Sequence, residues 1–273
     1  MRSGSRLLLV VIALLLLGLV APALIPRERS IVLATTTSTE DSGLLDYLLP
    51  SFTAATAIQV RVIAVGTGQA LELGRRGDAD VVLTHAPGKE REFLTQGHAA
   101  YREPVMHNFF ILVGPATDPA RARGDDIALG MERIATGQWP FISRGDGSGT
   151  HTKELELWSL AKIRPEPGGW YKEAGEGMGA TLRIADQLLA YTLTDDGTFA
   201  TMAGRLDLVP IVENIPPLQN NYSVMPVNPE KHPTVRYADA HAFAQWLIGP
   251  GAQALIAEYR IGGRSIFTPD ASP

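Results

Sequence analysis

Short apolar segments alternate with helical stripes along the first part of the chain. The segments at residues 31–34, 58–65 and 80–84 are rich in aliphatic and β-branched side chains. Between them, apolar residues recur at helical spacing, as at Leu44 and Leu48. Short apolar strands separated by helices are typical of a parallel sheet whose two faces are both covered. The sequence therefore predicts an α/β fold.

The pattern continues as a second α/β unit, and the chain crosses between the two units twice. We place the crossings near residues 113–116 and 215–221. One lobe then comprises residues 30–113 and 222–273, and the other comprises residues 114–221. Two crossings imply a hinge and a cleft. Loops at the carboxyl ends of parallel strands face such a cleft.

Three strand-to-helix loops share a composition of hydroxyl residues and glycine. They lie at residues 35–38, 66–68 and 145–150. Glycine lets the backbone approach a ligand closely, and a helix N-terminus offers unpaired N–H groups to an anion. Thr37 also fits an ordinary helix cap, since residues 37–40 match the capping-box pattern. The two interpretations are compatible, because a capped helix end can still bind an anion.

Arg144 is the one cation in these loops, and Asp146 lies two residues after it. An exposed salt bridge between them would contribute only about 0–1 kcal/mol. We predict instead that Arg144 faces an anion and that Asp146 holds the guanidinium in position. A protonated phosphate needs an acceptor for its own O–H group. If Asp146 is committed to Arg144, an unprotonated anion is favoured.

The remaining polar residues do not form a recognisable metal or catalytic pattern. The chain has no cysteine, and its six histidines lack metal-ligand spacing such as H-E-x-x-H. His85 and His151 follow a strand and the glycine loop, so either could lie at the rim of the cleft, but we expect structural roles for both. Tyr191 and Thr192 fit either a buried strand start or a position in the cleft. We predict no metal ion, no cofactor and no catalytic residue.

The N-terminus has the pattern of a secretory signal peptide at residues 1–23. Arg2 and Arg6 precede an apolar run at residues 7–20, and small residues before Ala23 suit a signal peptidase. We expect an exported, periplasmic protein, or one held on the outer face of the membrane if the leader is not cleaved. The formal net charge of −5 argues against nucleic acid as a partner.

Two segments resemble the signatures of the tungstate-binding proteins of bacterial ABC transporters. Residues 34–45 carry the TTTS signature, and residues 141–151 resemble the second signature of that family. Supporting matches lie at residues 108–115, 177–179 and 191–195. The resemblance implies a type II periplasmic-binding fold, in which two α/β lobes close on one tetrahedral oxyanion.

The resemblance also implies which residues contact the anion. The matching positions in this chain are Thr36, Thr37, Ser38, Thr67, Gly68, Arg144, Ser148 and Thr150. One position departs from the family pattern, because Gly147 stands where a polar residue is usual. Side-chain contacts are lost there, although we expect the N–H of Gly147 to remain available.

The predicted function is an extracytoplasmic, monomeric substrate-binding protein that captures tungstate and delivers it to a membrane permease. Residue chemistry alone supports any tetrahedral oxyanion, so molybdate and phosphate stay open. An exported hydrolase that uses the glycine loop is a further alternative, although Ser148 and His151 are poorly spaced for a nucleophile and its base. A sensor that reports anion levels to a membrane partner is another.

Overall fold

The computed structural model describes residues 29–271, so the predicted signal peptide at residues 1–23 lies outside the described residues. The strands are β1 (Arg29–Thr36), β2 (Ile58–Val65), β3 (Val81–Thr84), β4 (Glu103–Pro115), β5 (Phe141–Ser143), β6 (Tyr171–Glu173), β7 (Thr192–Asp195), β8 (Leu208–Val212), β9 (Gln219–Pro226), β10 (Arg260–Ile261), β11 (Arg264–Ser265) and β12 (Thr268–Pro269). The helices are α1 (Thr37–Asp41), α2 (Leu44–Thr56), α3 (Thr67–Arg76), α4 (Pro87–Thr95), α5 (Ile127–Thr136), α6 (Gly149–Leu160), α7 (Met178–Gln187), α8 (Asp196–Met202), α9 (Tyr237–Ile248) and α10 (Pro250–Glu258). Between residues 29 and 271, no helix is long and apolar enough to cross a membrane.

The main sheet is mixed rather than parallel. Its strand order is β12-β4-β9-β3-β1-β2, and β7 and β8 pair with the other part of β4. β1 pairs in parallel with β2 and β3, as predicted, whereas β9 pairs antiparallel with β3 and β4. The predicted parallel sheet is confirmed for β1, β2 and β3, and the strands that follow in the main sheet pair antiparallel. A continuous apolar run reports that both faces of a strand are covered, and it does not report the direction of the neighbouring strands.

Two groups of hydrophobic cores lie along this sheet. One group contains Phe52 and Phe243 and involves β1 to β3, β9 and the C-terminal helices. The other contains Trp158 and Tyr171 and involves β5 to β8. β4 contributes to both, because it pairs with β9 up to Phe109 and with β7 and β8 from Phe110 onward. The assignment of residues 30–113 and 222–273 to one lobe, and of residues 114–221 to the other, stays a prediction.

α3 is held close against the sheet by a small residue. A Cβ atom at Gly74 would lie 2.8 Å from the Phe93 ring and 2.9 Å from Val82. The helix ends at Gly77, whose φ of +74° suits glycine. This packing fixes the start of α3, at Thr67, at the carboxyl edge of the strands β1 to β3.

Candidate functional site

A small cavity lies where four strand-to-helix connections meet. Its volume is about 10 Å³, so its walls lie close together. The parallel strands β1, β2 and β3 end at one edge of the sheet, and their following loops form one wall. The segment between β5 and α6 forms the opposite wall. The lining residues are Thr36, Thr37, Ser38, Val65, Gly66, Thr67, His85, Arg144, Ser148, Gly149 and Thr150.

Seven of the eight residues predicted to contact the anion line this cavity. They are Thr36, Thr37, Ser38, Thr67, Arg144, Ser148 and Thr150. The eighth, Gly68, lies in the first turn of α3, is exposed and does not line the cavity. The structure therefore brings the three predicted loops together, and a ligand contact for each of these residues stays a prediction.

Two helices begin at the cavity wall. Thr67 is the first residue of α3, and Gly149 and Thr150 begin α6. The N–H groups of a first helical turn have no partner within the helix, so they are available to an anion. Ser148 caps α6, because its Oγ accepts a hydrogen bond from the His151 N–H at 3.3 Å. That bond uses a lone pair of Ser148 and not its hydroxyl proton.

The first loop is capped one residue earlier than the sequence predicts. Thr36, not Thr37, is the N-cap of α1, and its Oγ1 accepts from the Thr39 N–H at 3.3 Å. The strand β1 extends through Thr36, whose φ of −97° and ψ of 152° are extended. Ser38 Oγ lies 3.2 Å from the same Thr36 oxygen, so the hydroxyl groups of this loop form a connected cluster.

Arg144 is the one cation among the residues that line the cavity, and it is almost fully buried, with 6% of its surface exposed. Its guanidinium donates to Oδ2 of Asp146, which confirms the predicted pairing. Oδ1 of Asp146 accepts from the Ser148 N–H at 3.1 Å. Burial alone would raise the pKa of Asp146, but hydrogen bonds from Ser148 and the charge of Arg144 outweigh it and hold that pKa below its ordinary value.

One donor of Arg144 is left without an acceptor. Its Nε is buried, and it makes no hydrogen bond to any residue that the structure describes. A buried donor without a partner costs about 1–3 kcal/mol. The unmatched N–H of a charged group in this cavity indicates a ligand that carries an acceptor and a negative charge.

Gly147 does not contribute a free N–H group, contrary to the sequence prediction. Its N–H donates to Nδ1 of His151 at 3.0 Å, within a turn in which Gly147 has a φ of +69°. His151 therefore has the structural role expected of it. The same bond occupies Nδ1 of His151, the nitrogen that a base for Ser148 would use or orient.

His85 lines the cavity, although the sequence favoured a structural role for it. It is 5% exposed, and its Nε2 lies 3.2 Å from both Thr36 Oγ1 and Ser38 Oγ. Burial lowers the pKa of its imidazole. The available signal was its position directly after β3, where it occupies the same edge of the sheet as the other loops.

The loop that carries His85 is fixed by a buried carboxylate. Oε1 of Glu90 accepts from the Ala86 N–H at 2.8 Å and from Thr84 Oγ1 at 2.9 Å. Oε2 of Glu90 accepts from Arg102 at 2.9 Å. These bonds hold the residues on both sides of His85, so its ring is presented to the cavity in one orientation.

Tyr191 and Thr192 lie outside the cavity lining. The Tyr191 hydroxyl donates to Asp118 at 2.7 Å, and Thr192 Oγ1 donates to the Ile142 carbonyl at 2.7 Å. Both side chains therefore serve the packing of the strand. No group of three or more histidine, aspartate or glutamate side chains suited to a metal ion occurs within residues 29–271.

Comparisons with known proteins agree on one family. Residues 22–250 match a family model described as a PBP superfamily domain. The chain is 49% identical, over 90% of its length and 87% of the relative, to the tungstate-binding protein TupA of Peptoclostridium acidaminophilum.

Solved structures give the same result. The chain is similar to the tungstate-binding protein TupA from Desulfovibrio alaskensis G20, with a TM-score of 0.80, 40% identity and coverage of 89% of this chain and 100% of that one. It is also similar to the tungstate ABC transporter structure from Geobacter sulfurreducens, with a TM-score of 0.78, 46% identity and coverage of 85% of this chain and 99% of that one.

Proposed function

We infer the function of this chain from its family, because it belongs to the PBP superfamily and, within it, to the tungstate-binding proteins. Its mixed α/β architecture is the type II periplasmic-binding fold that the sequence predicts. On this proposal the chain is the exported substrate-binding protein of an ABC transporter. It captures tungstate in the cavity and delivers it to the membrane permease.

The unpartnered Nε of Arg144 is the observation that carries this proposal. The guanidinium is buried beside hydroxyl groups and two helix N-termini, and no carboxylate is among the described residues that line the cavity. Such a set offers donors and one positive charge, which suits a small oxyanion. An anion oxygen beside Nε would satisfy this buried, unmatched donor.

The role of Asp146 favours an anion without a proton. Both of its oxygens are engaged, one by Arg144 and the other by the Ser148 N–H. A protonated phosphate would have to donate its O–H to an acceptor in the cavity, and the nearest carboxylate in sequence is committed elsewhere. Tungstate and molybdate carry no proton at neutral pH, and the family relationship favours tungstate between them.

Closure of two lobes on the anion is part of the proposal. It is supported by the two groups of hydrophobic cores, and by the contact between the cavity walls. A Cβ atom at Gly149 would lie 3.0 Å from His85 Cε1 and 3.4 Å from Thr67 Oγ1, so the two walls already touch at this glycine. Because Phe110 and Leu112 pack in the second group of cores, we place the first crossing nearer to Phe109 than to the predicted residues 113–116.

Calorimetric titration of the protein with tungstate, molybdate, sulfate and phosphate tests the proposal. We expect tungstate to bind most tightly and phosphate to bind far more weakly, because the cavity offers donors and no free carboxylate. A higher affinity for molybdate than for tungstate would change the assigned substrate and keep the oxyanion site. A higher affinity for phosphate than for tungstate would overturn the proposal.

A hydrolase is the second candidate function. Its catalytic residues would differ from Ser148 and His151, the pair considered from the sequence. Ser38 Oγ, His85 Nε2 and the side chain of Asn220 stand in the order of a nucleophile, its base and an orienting amide. Against it, Thr36 Oγ1 lies at the same 3.2 Å from Nε2 and competes for the base. Ester and phosphate-ester turnover that disappears in Ser38→Ala would establish this candidate, and no turnover in the wild type would exclude it.

A further inference from the structure

A chain of four polar side chains runs from the cavity through the protein interior to the half-buried start of α8. We call it the polar relay, and it consists of His85, Asn220, Asn108 and Asp196. Nδ1 of His85 lies 2.9 Å from Asn220 Oδ1, and Asn220 Nδ2 donates to Asn108 Oδ1 at 2.7 Å. Asn108 Nδ2 then donates to Asp196 Oδ1 at 2.7 Å. His85, Asn108 and Asn220 are each at most 5% exposed, so bulk water does not replace these partners.

The carboxylate at one end fixes every proton along the polar relay. An ionised carboxylate can only accept, so Asn108 must present its NH₂ group to Asp196 and its oxygen to Asn220. Asn220 then presents its oxygen to His85. Nδ1 of His85 therefore carries a proton, and in the neutral ring Nε2 carries none.

A bare Nε2 works against anion binding. It can only accept, and its neighbours at 3.2 Å are the hydroxyl groups of Thr36 and Ser38. One hydroxyl proton must then point at His85 instead of at the ligand. With a proton on Nε2, His85 becomes the donor and no longer needs a hydroxyl proton. Ser38 can then direct its proton to an anion, and Thr36 can direct its own to an anion or to Thr39 Oγ1 at 2.7 Å.

We propose that binding of the oxyanion is coupled to uptake of one proton from solvent by the polar relay, which converts Nε2 of His85 from an acceptor into a donor. This inference rests on the proposed function. It assigns His85 as a binding and positioning residue for the anion. It also makes Asp196, at the far end of the relay, a residue that influences affinity without touching the ligand.

The proton has two places to reside. In the first, Nε2 of His85 takes it directly, the ring becomes an imidazolium, and the two asparagines keep their orientation. In the second, Asp196 takes it and donates its O–H to Asn108 Oδ1. Both amides then reverse and Asn220 Nδ2 donates to Nδ1 of His85. The ring releases its Nδ1 proton to solvent and takes another on Nε2, so it stays neutral and the relay gains only the proton on Asp196. Either route adds one proton and one positive charge to the relay.

The charges around the polar relay agree with proton uptake near neutral pH. Burial, followed by the charge of Asp195, raises the pKa of Asp196 to about 7. Burial lowers the pKa of His85; the Asn220 bond and then Asp195 raise it, and Arg144 lowers it. A dianion beside Nε2 favours the protonated form, because an opposite charge at close range raises the pKa of a histidine.

The neighbouring titratable groups come from four elements. Tyr222 on β9 stacks on the His85 ring with centroids 4.8 Å apart, and burial raises the pKa of that phenol well above its ordinary value. The other charged groups are Asp195 at the end of β7, Asp41 on α1, and Arg144 with Asp146 after β5. Of these, Asp146 is paired with Arg144, and Asp195 accepts hydrogen bonds from Thr198. The polar relay is therefore the place where a proton can be added when the anion binds.

Titration calorimetry with tungstate in buffers of different ionisation enthalpy measures the proton number. Between about pH 7 and 8.5 we expect uptake that approaches one proton per anion, and an affinity that falls by up to about tenfold per pH unit as the pH rises. His85→Gln should abolish the uptake by either route, because glutamine does not titrate and has no tautomers that could pass a change at Asp196 on to the hydroxyl groups of Thr36 and Ser38. Loss of uptake in Asp196→Asn would assign the proton to the second route, and retained uptake would assign it to the first.

Glu154→Gln is the matched control. Glu154 is a buried carboxylate whose pKa is also raised to about 7 by burial, but it lies outside the relay, so its replacement should leave proton uptake unchanged.

Nitrogen-15 spectra of the histidine rings in the wild type give a readout that needs no variant: the anion should put a proton on Nε2 of His85. Tungstate binding without uptake, or uptake that persists in His85→Gln, would overturn the inference. Absence of any anion binding would overturn the proposed function as well.

Discussion

At the scale of single residues, the cavity depends on a cation that the protein only partly satisfies. Arg144 donates to Asp146 but keeps a buried Nε without an acceptor among the described residues. The Asp146 carboxylate holds the guanidinium in position, and the unmatched Nε–H is available to a ligand. A buried charge of this kind contributes more to binding than to folding, because its remaining donor is satisfied only in the complex.

Arg144→Ala should abolish tungstate binding while the protein stays folded. Removing one partner of a buried, hydrogen-bonded charge pair costs about 2–5 kcal/mol, which corresponds to a loss of at least about thirtyfold in affinity. Calorimetric titration measures the affinity, and circular dichroism checks the fold. Arg264→Ala is the control, since it removes the same charge from an exposed side chain whose distance to Glu213 is 3.7 Å. Wild-type affinity in Arg144→Ala would refute the role of this residue.

At the scale of elements, the start of α6 belongs to the cavity wall that closes on the anion in the proposed function. Gly149 lies against His85 and Thr67 from the opposite wall of the cavity, and no larger residue fits that contact without a shift. The sequence predicted a glycine-rich anion loop here. It did not predict which glycine is needed for closure, since that depends on a neighbour on another strand.

Gly149→Ala should weaken tungstate binding by holding the walls apart. The added methyl would lie 3.0 Å from His85 Cε1, which is tighter than ordinary contact, so we expect a loss of about tenfold or more in affinity, equivalent to about 1–3 kcal/mol for an overpacked site. Gly251→Ala in α10 is the control, because a Cβ there meets no atom within 4 Å. Equal affinities in the two variants would show that the contact at Gly149 does not limit closure.

The helix α6 also carries a buried acid that should make stability depend on pH. Oε1 of Glu154 accepts from Tyr171 at 2.8 Å and from Trp158 at 3.1 Å, and burial raises the pKa of Glu154 to about 7. Folding thus favours the protonated acid. The free energy that Glu154 contributes to folding is fully present below its ordinary pKa and is lost as the pH rises through about 7. The free energy of unfolding should fall by at most about 3 kcal/mol over that range.

Thermal denaturation of wild type and Glu154→Gln from about pH 5 to about pH 8 measures this dependence. The melting temperature of the wild type should fall more steeply with pH. Some slope should remain in the variant, because the pKa of Asp196 is raised in the same direction. Glu156→Gln, an exposed position in the same helix, should behave like the wild type. Identical slopes for Glu154→Gln and the wild type would contradict the assignment.

At the scale of the whole molecule, the sequence predicted elements better than their arrangement. The strand at residues 58–65 was predicted with its observed bounds, because its β-rich run ends at Gly66. The antiparallel pairing of β4 and β9 could not be predicted, since strand direction depends on how the chain returns from the second group of cores. For the same reason the sequence left open whether His85 reaches the site: its partners, Ser38 and Asn220, are distant in sequence and meet only in the fold.

The site residues were predicted from the composition of the loops and from a family resemblance. The fold explains why these residues lie together. Loops that follow parallel strands share one edge of a sheet, so the residues after β1, β2 and β3 had to converge. The opposite wall required the second group of cores to place Arg144 against them. The exclusion of Gly68 from the cavity lining shows the limit of the sequence pattern, because a position in a loop does not fix the side on which the backbone is exposed.

The central claim is that this cavity holds the oxyanion, and the position of tungsten in crystals grown with tungstate tests it most directly. Anomalous scattering locates the metal without reference to the protein atoms. The account predicts one strong tungsten peak in the cavity, with oxygen atoms within hydrogen-bond distance of Arg144 Nε and of the hydroxyl groups of Thr36 or Ser38. Tungsten bound elsewhere on the protein, with Arg144 Nε still without an acceptor, would contradict it.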